Sequence, residues 1–290
     1  MTAQILDGKT RAAELRLEVA QKTAGLDFSP GLAVVLIGED PASQVYVRKK
    51  IEAAEEAGFK SIQHYPDPDI SQKELLDLIG QLNRDARVHG ILVQLPLPDH
   101  IDAQAVIDAI DPDKDVDGFT PINAGRLFLG LDCFVPCTPQ GCMILIRDAL
   151  GTDLVGRNAV MVGKSNIVGK PMAQMLMNEH CTVSVLHSAT RAPDKFACRA
   201  DILVVATGVP GLVTSDWVKE GACVIDVGIS RVDHPDKPGK TKLAGDVDFD
   251  AVKDRAGWIT PVPGGVGPMT IACLLQNTLD AALRLKGVRA

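Results

Sequence analysis

Short aliphatic runs alternate along this chain with longer stretches of helical period, and that alternation narrows the possible folds more than any other feature. Candidate strands fall at 32–37, 61–64 and 90–95, separated by helical stretches at 43–57 and 71–87. A second series of strands follows at 159–162, 182–186, 202–206 and 223–227, with a helix at 169–178 and shorter connections elsewhere. A strand that is followed by a helix and then by a neighbouring strand pairs in parallel, because the crossover returns the chain to its starting side. The expected class is therefore α/β, with two α/β domains.

At 290 residues the chain is long for one domain and sufficient for two. The hinge is expected at 134–140, where Val135-Pro-Cys-Thr-Pro-Gln-Gly141 holds two prolines ahead of an amphipathic helix at 141–150. A last apolar helix at 268–285 follows the glycine- and proline-rich run that begins at Thr260. Periodicity alone leaves open whether that helix returns to the first domain. The expected organisation is a first domain over 1–138 with the helix 268–290 packing back onto it, and a second domain over 139–267. The polar stretch 234–242 reads as a surface loop or hairpin.

Thirty basic side chains against thirty-seven acidic ones leave a net charge of −7, which provides no basic excess to displace phosphate counterions and argues against a nucleic-acid partner. Hydrophobic residues make up 46% and aromatic residues only 4%, the profile of an aliphatic-packed α/β core. The opening MTAQILDGKTRAAEL lacks an apolar signal core, and no apolar run approaches the roughly 18 residues of a spanning helix, so the expected location is the cytoplasm with no membrane contact. Seven cysteines occur without a CxxC pair; Cys133, Cys137 and Cys142 lack a nearby histidine in ligand spacing and read as reduced thiols, so no metal is expected.

The run from Asn158 to Pro171 passes from an apolar strand into a helix, with Gly163 and Gly169 marking the turn. Such a turn lets backbone approach phosphates and aims the N–H groups of a helix start at negative charge. It is a modified dinucleotide fingerprint, since Ser165 takes the middle glycine position and Val168 the last. The second strand of the series ends in His187-Ser-Ala-Thr-Arg191, with no acid where a fold selective for NAD holds the ribose 2′-hydroxyl. Lys164, Ser188 and Arg191 are candidates to hold a 2′-phosphate, which points to NADP; the alternative is that they are ordinary polar loop residues.

In the first domain Ser43, Tyr46 and Lys50 share a face of one helix. Spacing alone leaves open whether Tyr46 and Lys50 are a surface pair or catalytic groups. Gln94 ends an apolar strand, at the sheet edge where ligand clefts open, and Asp117 follows in Lys114-Asp-Val-Asp-Gly118. Asp226, in Val-Ile-Asp-Val-Gly-Ile, and Asp246, in Ala-Gly-Asp-Val, read as acids that cap turns.

Taken in order, Tyr46-Val-Arg-Lys-Lys50, Val93-Gln-Leu-Pro-Leu97, Lys114-Asp-Val-Asp-Gly118, Pro136-Cys-Thr-Pro139, Val162-Gly-Lys-Ser-Asn-Ile-Val-Gly169, Ala206-Thr-Gly208 and Pro261-Val-Pro-Gly-Gly-Val-Gly-Pro-Met269 resemble the methylenetetrahydrofolate dehydrogenase/cyclohydrolase family. The resemblance spans nearly the whole chain. It implies a Rossmann-type second domain and a cleft between two lobes, where NADP-dependent oxidation of 5,10-methylenetetrahydrofolate is followed by hydrolysis to 10-formyltetrahydrofolate. By the same resemblance Lys50 is the key catalytic group, Gln94 positions or tunes it, Tyr46 packs on the aminobenzoate ring and Asp117 binds the pterin. Gly163, Lys164, Ser165, Ser188 and Ile229 map onto NADP contacts, with Arg191 beside them, and Pro263, Gly264 and Gly265 shape the contact between substrate and nicotinamide. A homodimer and a place in one-carbon metabolism and purine biosynthesis are further implications. No GxxxxGK[ST] loop is present, so the formate-activating ligase of longer relatives is not expected.

Overall fold

The computed structural model describes residues 2–38, 40–234 and 239–288. They gather into two compact units. One joins Ala13–Cys137 to Ile271 and the residues after it; the other joins the residues up to Ala12 to Thr138–Thr270.

The chain opens with β1 (Gln4–Ile5) and α1 (Gly8–Ala24), then runs through β2 (Gly31–Val35), α2 (Pro41–Glu56), β3 (Lys60–His64), α3 (Gln72–Arg84) and β4 (Gly90–Val93). Strands β2 to β4 form a parallel sheet in the order β3-β2-β4. Every residue of β2 and β4 is buried, as expected of parallel strands covered on both faces. Helix α2 starts sharply because Asp40 accepts from Ser43 N and Pro41 supplies a pre-set first turn. Helix α3 carries a capping box, with Ser71 and Glu74 each satisfying the other's backbone N–H, and buries Leu75, Ile79 and Leu82 on the sheet with Val35, Ile91 and Val93. Two short helices follow, α4 (Ala103–Asp108) and α5 (Pro121–Phe128). Between them Asp115 bridges Ile91 in parallel, so the Lys114–Gly118 segment runs beside β4 as a rudimentary extra strand.

Helix α6 (Cys137–Leu150) leads into β5 (Asn158–Val162), α7 (Gly169–Asn178), β6 (Thr182–Leu186), α8 (Asp194–Ala197) and β7 (Ile202–Val205). After a 3₁₀ turn at Ser215–Trp217 come β8 (Cys223–Asp226), β9 (Ser230–Asp233), β10 (Thr241–Ala244), α9 (Phe249–Val252), β11 (Trp258–Ile259) and α10 (Val266–Leu285). With β1, five of these strands form one parallel six-stranded sheet in the order β1-β11-β8-β7-β5-β6, in which the Rossmann-type winding reverses at β5, between β6 and β7. Its core is aliphatic: Val160, Val162, Leu203, Val205, Val224 and Ile259 among others.

One feature departs from the sequence reading. The sequence assigns residues 1–138 to the first domain, whereas the described residues up to Ala12 belong with the six-stranded unit. The cause is pairing at the far end of the chain: β1 lies parallel to β11, and Ala3 N, Gln4 N and Leu6 N donate to the carbonyls of Lys253, Gly257 and Ile259. Strands of two residues are too short to show a period. The stretch 234–242, expected as a loop or hairpin, lies between the antiparallel strands β9 and β10, the pairing of a hairpin, and 235–238 lie outside the described residues.

Lys114 shows how the three-stranded unit fixes its loops. Its buried Nζ donates to the carbonyls of Leu82, Asn83 and Asp85 at 3.2, 2.8 and 2.9 Å, filling the open carboxyl end of α3. That bond set anchors one end of the segment that carries Asp115 and Asp117. Replacing Lys114 with Met is expected to cost about 2 kcal/mol, since it leaves three carbonyls without their charged donor. The check is a lower urea midpoint at unchanged slope.

Candidate active site and dinucleotide-binding edge

In the three-stranded unit, Tyr46 and Lys50 stand one turn apart on α2, and Gln94 follows the last residue of β4. Lys50 is buried, and its Nζ donates to Gln94 Oε1 at 3.2 Å while lying 4.7 Å from the centre of the Tyr46 ring. The amide of Gln94 is itself held: its backbone N donates to Val35 O, and its Nε2 donates to Leu95 O at 2.6 Å. With Nε2 engaged, Oε1 is the atom offered to the ammonium. The lysine thus rests on a neutral acceptor and the face of an aromatic ring.

The two acids of the Asp115-Val-Asp117 segment have different tasks. Asp115 is buried and accepts from Phe119 N, Thr120 N and Asn123 Nδ2, which makes it the organiser of the turn. Gly118 completes that turn at φ +67°, where a Cβ would lie 2.6 Å from the Val135 carbonyl carbon. Asp117 is half-buried and has the Cys137 Sγ 4.0 Å from its Oδ1. Burial pushes its carboxyl up to about 6; the Lys50 charge opposes that rise and Asp115 adds to it. From α10, Asn277 Nδ2 donates to Val116 O at 2.8 Å and Val135 O at 3.1 Å, holding the residue before Asp117 to the segment at Val135. None of the seven cysteines is in a disulfide; Cys137 and Cys142 are buried and Cys133 is half-buried.

In the six-stranded unit, the residues expected to bind cofactor all follow the carboxyl ends of parallel strands. Gly163 ends β5 at φ +124°, and a Cβ there would lie 2.2 Å from Ala206 O. Gly169 starts α7, where a Cβ would meet Gly163 O at 2.4 Å. Both glycines are needed because strand, turn and helix approach one another at backbone distance. Ser165 Oγ accepts from Val168 N and Gly169 N, so this serine caps α7 in place of Val168, which has no capping side chain. Lys164, Ser188, Arg191 and Ile229 are exposed, the second and third in the loop after β6 and the last beyond β8. After β11, Gly264 sits at φ +108° and Gly265 N donates to Pro261 O, which turns the Pro263–Gly264–Gly265 run tightly.

Sequence reasoning missed what supports that run. A Cβ on Gly8 would lie 1.9 Å from Gly265 O, and Lys9 N donates to Gly264 O at 2.9 Å, so the first turn of α1 is the floor of the loop. Only the glycine in Leu6-Asp-Gly-Lys9 hinted at it. Asn277 was missed as well, because a polar residue inside an apolar helix carries no sign of what it binds.

A parallel six-stranded sheet with a glycine turn after β5, where the winding reverses between β6 and β7, is the architecture of an NAD(P)-binding domain, here in one chain with a buried lysine held on a strand-end amide. The family description tetrahydrofolate dehydrogenase/cyclohydrolase, catalytic domain, matches residues 6–117, and its NAD(P)-binding domain matches residues 136–286. A bifunctional protein FolD of Moorella thermoacetica is 59% identical over 287 residues, covering 98% of this chain and all of that one. A Campylobacter jejuni FolD, methylenetetrahydrofolate dehydrogenase/cyclohydrolase, superposes with a TM-score of 0.93 at 49% identity over 97% of this chain and 99% of its own. The Trypanosoma brucei N5,N10-methylenetetrahydrofolate dehydrogenase-cyclohydrolase, solved with NADP cofactor and inhibitor, gives 0.93 at 40% identity over both whole chains. The chain belongs to the tetrahydrofolate dehydrogenase/cyclohydrolase family.

The raised pKa of Asp117 has a stability consequence. An acid whose pKa is higher in the folded chain stabilises the fold fully below its unfolded value of 3.8 and loses that contribution as pH rises through about 6. Asp117→Asn removes the titrating group. Its Tm relative to the parent is therefore expected to rise from about pH 4 to about pH 6.5 and then level off; a flat difference across that window would show an unperturbed carboxyl.

Proposed function

We infer that the chain oxidises 5,10-methylenetetrahydrofolate to 5,10-methenyltetrahydrofolate with NADP, and then hydrolyses the methenyl compound to 10-formyltetrahydrofolate. The observation that carries this reading is the Lys50 ammonium, buried on Gln94 Oε1 at 3.2 Å and against the Tyr46 ring, on the same unit as Asp117.

NADP, when bound, accepts the hydride from the methylene carbon. The chain's part in that step is alignment, which contributes on the order of 7–11 kcal/mol where geometry is good. Gly163 and Gly169 let strand, turn and helix close up at backbone distance, which sets the start of α7, a helix long enough to present an N-terminal field to a pyrophosphate. Lys164, Ser188 and Arg191 hold the 2′-phosphate, a reading supported by the lack of any acid from His187 to Arg191. Ser165 acts from within the turn it caps, Ile229 packs on the cofactor, and Pro263, Gly264 and Gly265 shape the approach to the reacting carbon.

On the folate side, Tyr46 offers its ring to the aminobenzoate, and the Asp117 carboxylate accepts the paired N–H donors of the pterin edge. For hydrolysis, water adds to the methenyl carbon, a proton leaves that water, and N5 takes a proton as its bond to the carbon breaks. Lys50 carries this proton. Gln94, a neutral acceptor, holds the amine in place. A homodimer in the cytoplasm, feeding one-carbon units to purine biosynthesis, belongs to the same reading; the exposed Val185 on the edge strand β6 supports self-association.

Methenyl formation and methenyl decay, followed separately with purified protein, test the whole proposal. In Lys50→Met, decay is expected to fall by about 100-fold or more while hydride transfer stays measurable. Equal loss of both in a folded variant would make Lys50 a binding group. NADP is expected to exceed NAD in kcat/KM by roughly tenfold or more, from the charge contacts to the 2′-phosphate; a preference for NAD would defeat the assignment of Lys164 and Arg191.

A further inference from the structure

Two buried carboxylates in the six-stranded unit have no part in the function proposed above. Asp246 is fully buried and Asp226 is 4% exposed, and among the described residues neither carboxylate is in a salt bridge. Asp246 Oδ2 collects three donors from the loop after β7: Thr207 N at 2.5 Å, Gly208 N at 2.9 Å and Thr207 Oγ1 at 3.0 Å. Asp226 in turn holds the segment that carries Asp246. Its Oδ1 accepts from Asp246 N at 3.0 Å and Gly228 N at 2.9 Å, its Oδ2 accepts from Val247 N at 3.0 Å, and its own N donates to Thr260 Oγ1 at 2.7 Å.

The surroundings are fitted around this pair at the expense of side chains. A Cβ on Gly228 would lie 2.2 Å from Asp246 Oδ1, and one on Gly245 would lie 1.9 Å from Asp226 Oδ2. Asp246 Oδ1 is buried with no hydrogen-bond partner. Burying two anions without a cation is costly, and ordinary turn capping is achieved by exposed acids at far lower cost. What the pair supplies is connection. It ties the Thr207–Gly208 loop after β7, the Gly228–Ile229 loop after β8 and Thr260 after β11 into one hydrogen-bonded unit, and these are the loops along the carboxyl edge where a dinucleotide lies in such sheets.

We propose that Asp246, seated on Asp226, is a positioning residue for NADP: it pre-forms the cofactor loops at 207–208 and 228–229 and so sets cofactor affinity without touching the reacting atoms. The proposal rests on the assignment of this unit to NADP binding. A carboxylate with three converging donors on one oxygen fixes a loop more firmly than a neutral acceptor, and a pre-formed loop loses less entropy when the ligand binds.

Asp246→Ala and Asp246→Asn in the full-length chain test it, with three readings on each: dissociation constant for NADPH, dehydrogenase kinetics, and hydrolysis of supplied methenyltetrahydrofolate, which needs no hydride acceptor. Asp246→Ala is expected to weaken NADPH binding and raise KM for NADP by roughly tenfold or more while hydrolysis stays within about twofold. Asp246→Asn, which keeps an oxygen for the three donors but not its charge, is expected to fall between, at about threefold. Unchanged cofactor affinity in the variants, or parallel loss of affinity and hydrolysis, would overturn the proposal. If Asp246→Ala does not fold, Asp246→Asn decides by the same two readings. Failure of the parent chain itself to bind NADPH would instead overturn the cofactor assignment on which the proposal rests.

Discussion

Parallel strand pairing is the constraint from which the rest follows. Because β2, β3 and β4 run the same way, and because all six strands of the other sheet do too, each unit has one edge at which every strand ends and a loop begins. Hydrogen bonding within the sheet uses up the strand backbone and leaves those loops free to vary. Gln94, Gly163, the 187–191 loop, Ile229 and the 263–265 turn all lie at such ends. The chemistry of the chain is therefore placed by topology before any side chain is chosen.

At these edges the molecule handles charge in three ways. Lys50 gives up most of its water for a neutral amide oxygen and a ring face, which keeps an amine in place without pairing it to a carboxylate. Lys114, equally buried, donates to three helix-end carbonyls and is wholly structural. Asp226, pushed up to about 6 by burial, has its ionised form supported by the N–H groups of Gly228, Asp246 and Val247. Burial alone does not separate a working charge from an architectural one; the identity of the partner does. A lysine that saturates carbonyls has no proton to spare, whereas one resting on a single amide has two donors left for something else.

Much of this could be read from the residues, and what could not has physical reasons. Helix α7 falls where glycine and periodicity put it, at 169–178, because the glycine turn and the apolar face agree. Helix α3 ends at Arg84, earlier than its period suggests, because Asp85 turns the chain and binds Arg87 N. Strands β1 and β11 were invisible, since two residues show no period and their pairing joins opposite ends of the sequence. At the site, the family resemblance singles out Tyr46, Lys50, Gln94 and Asp117, but neither it nor spacing points to Gly8 under Gly265 or to Asn277 bridging two carbonyls. Those are contacts of the folded chain, and neither residue type announces them. Asp226 and Asp246 read locally as turn caps, while their bonds reach across three loops that local sequence does not connect.

The pairing of β1 with β11 also orders events in time. A ribosome releases Gln4 well before Trp258, so β1 waits for its partner β11 until more than two hundred further residues have been made. Until then the carbonyls of Gly257 and Ile259, and the floor under Gly265, have no partner to close on, and the entropy of joining the two ends must be met in one late step. The opening residues of this chain are thus the closing piece of its fold.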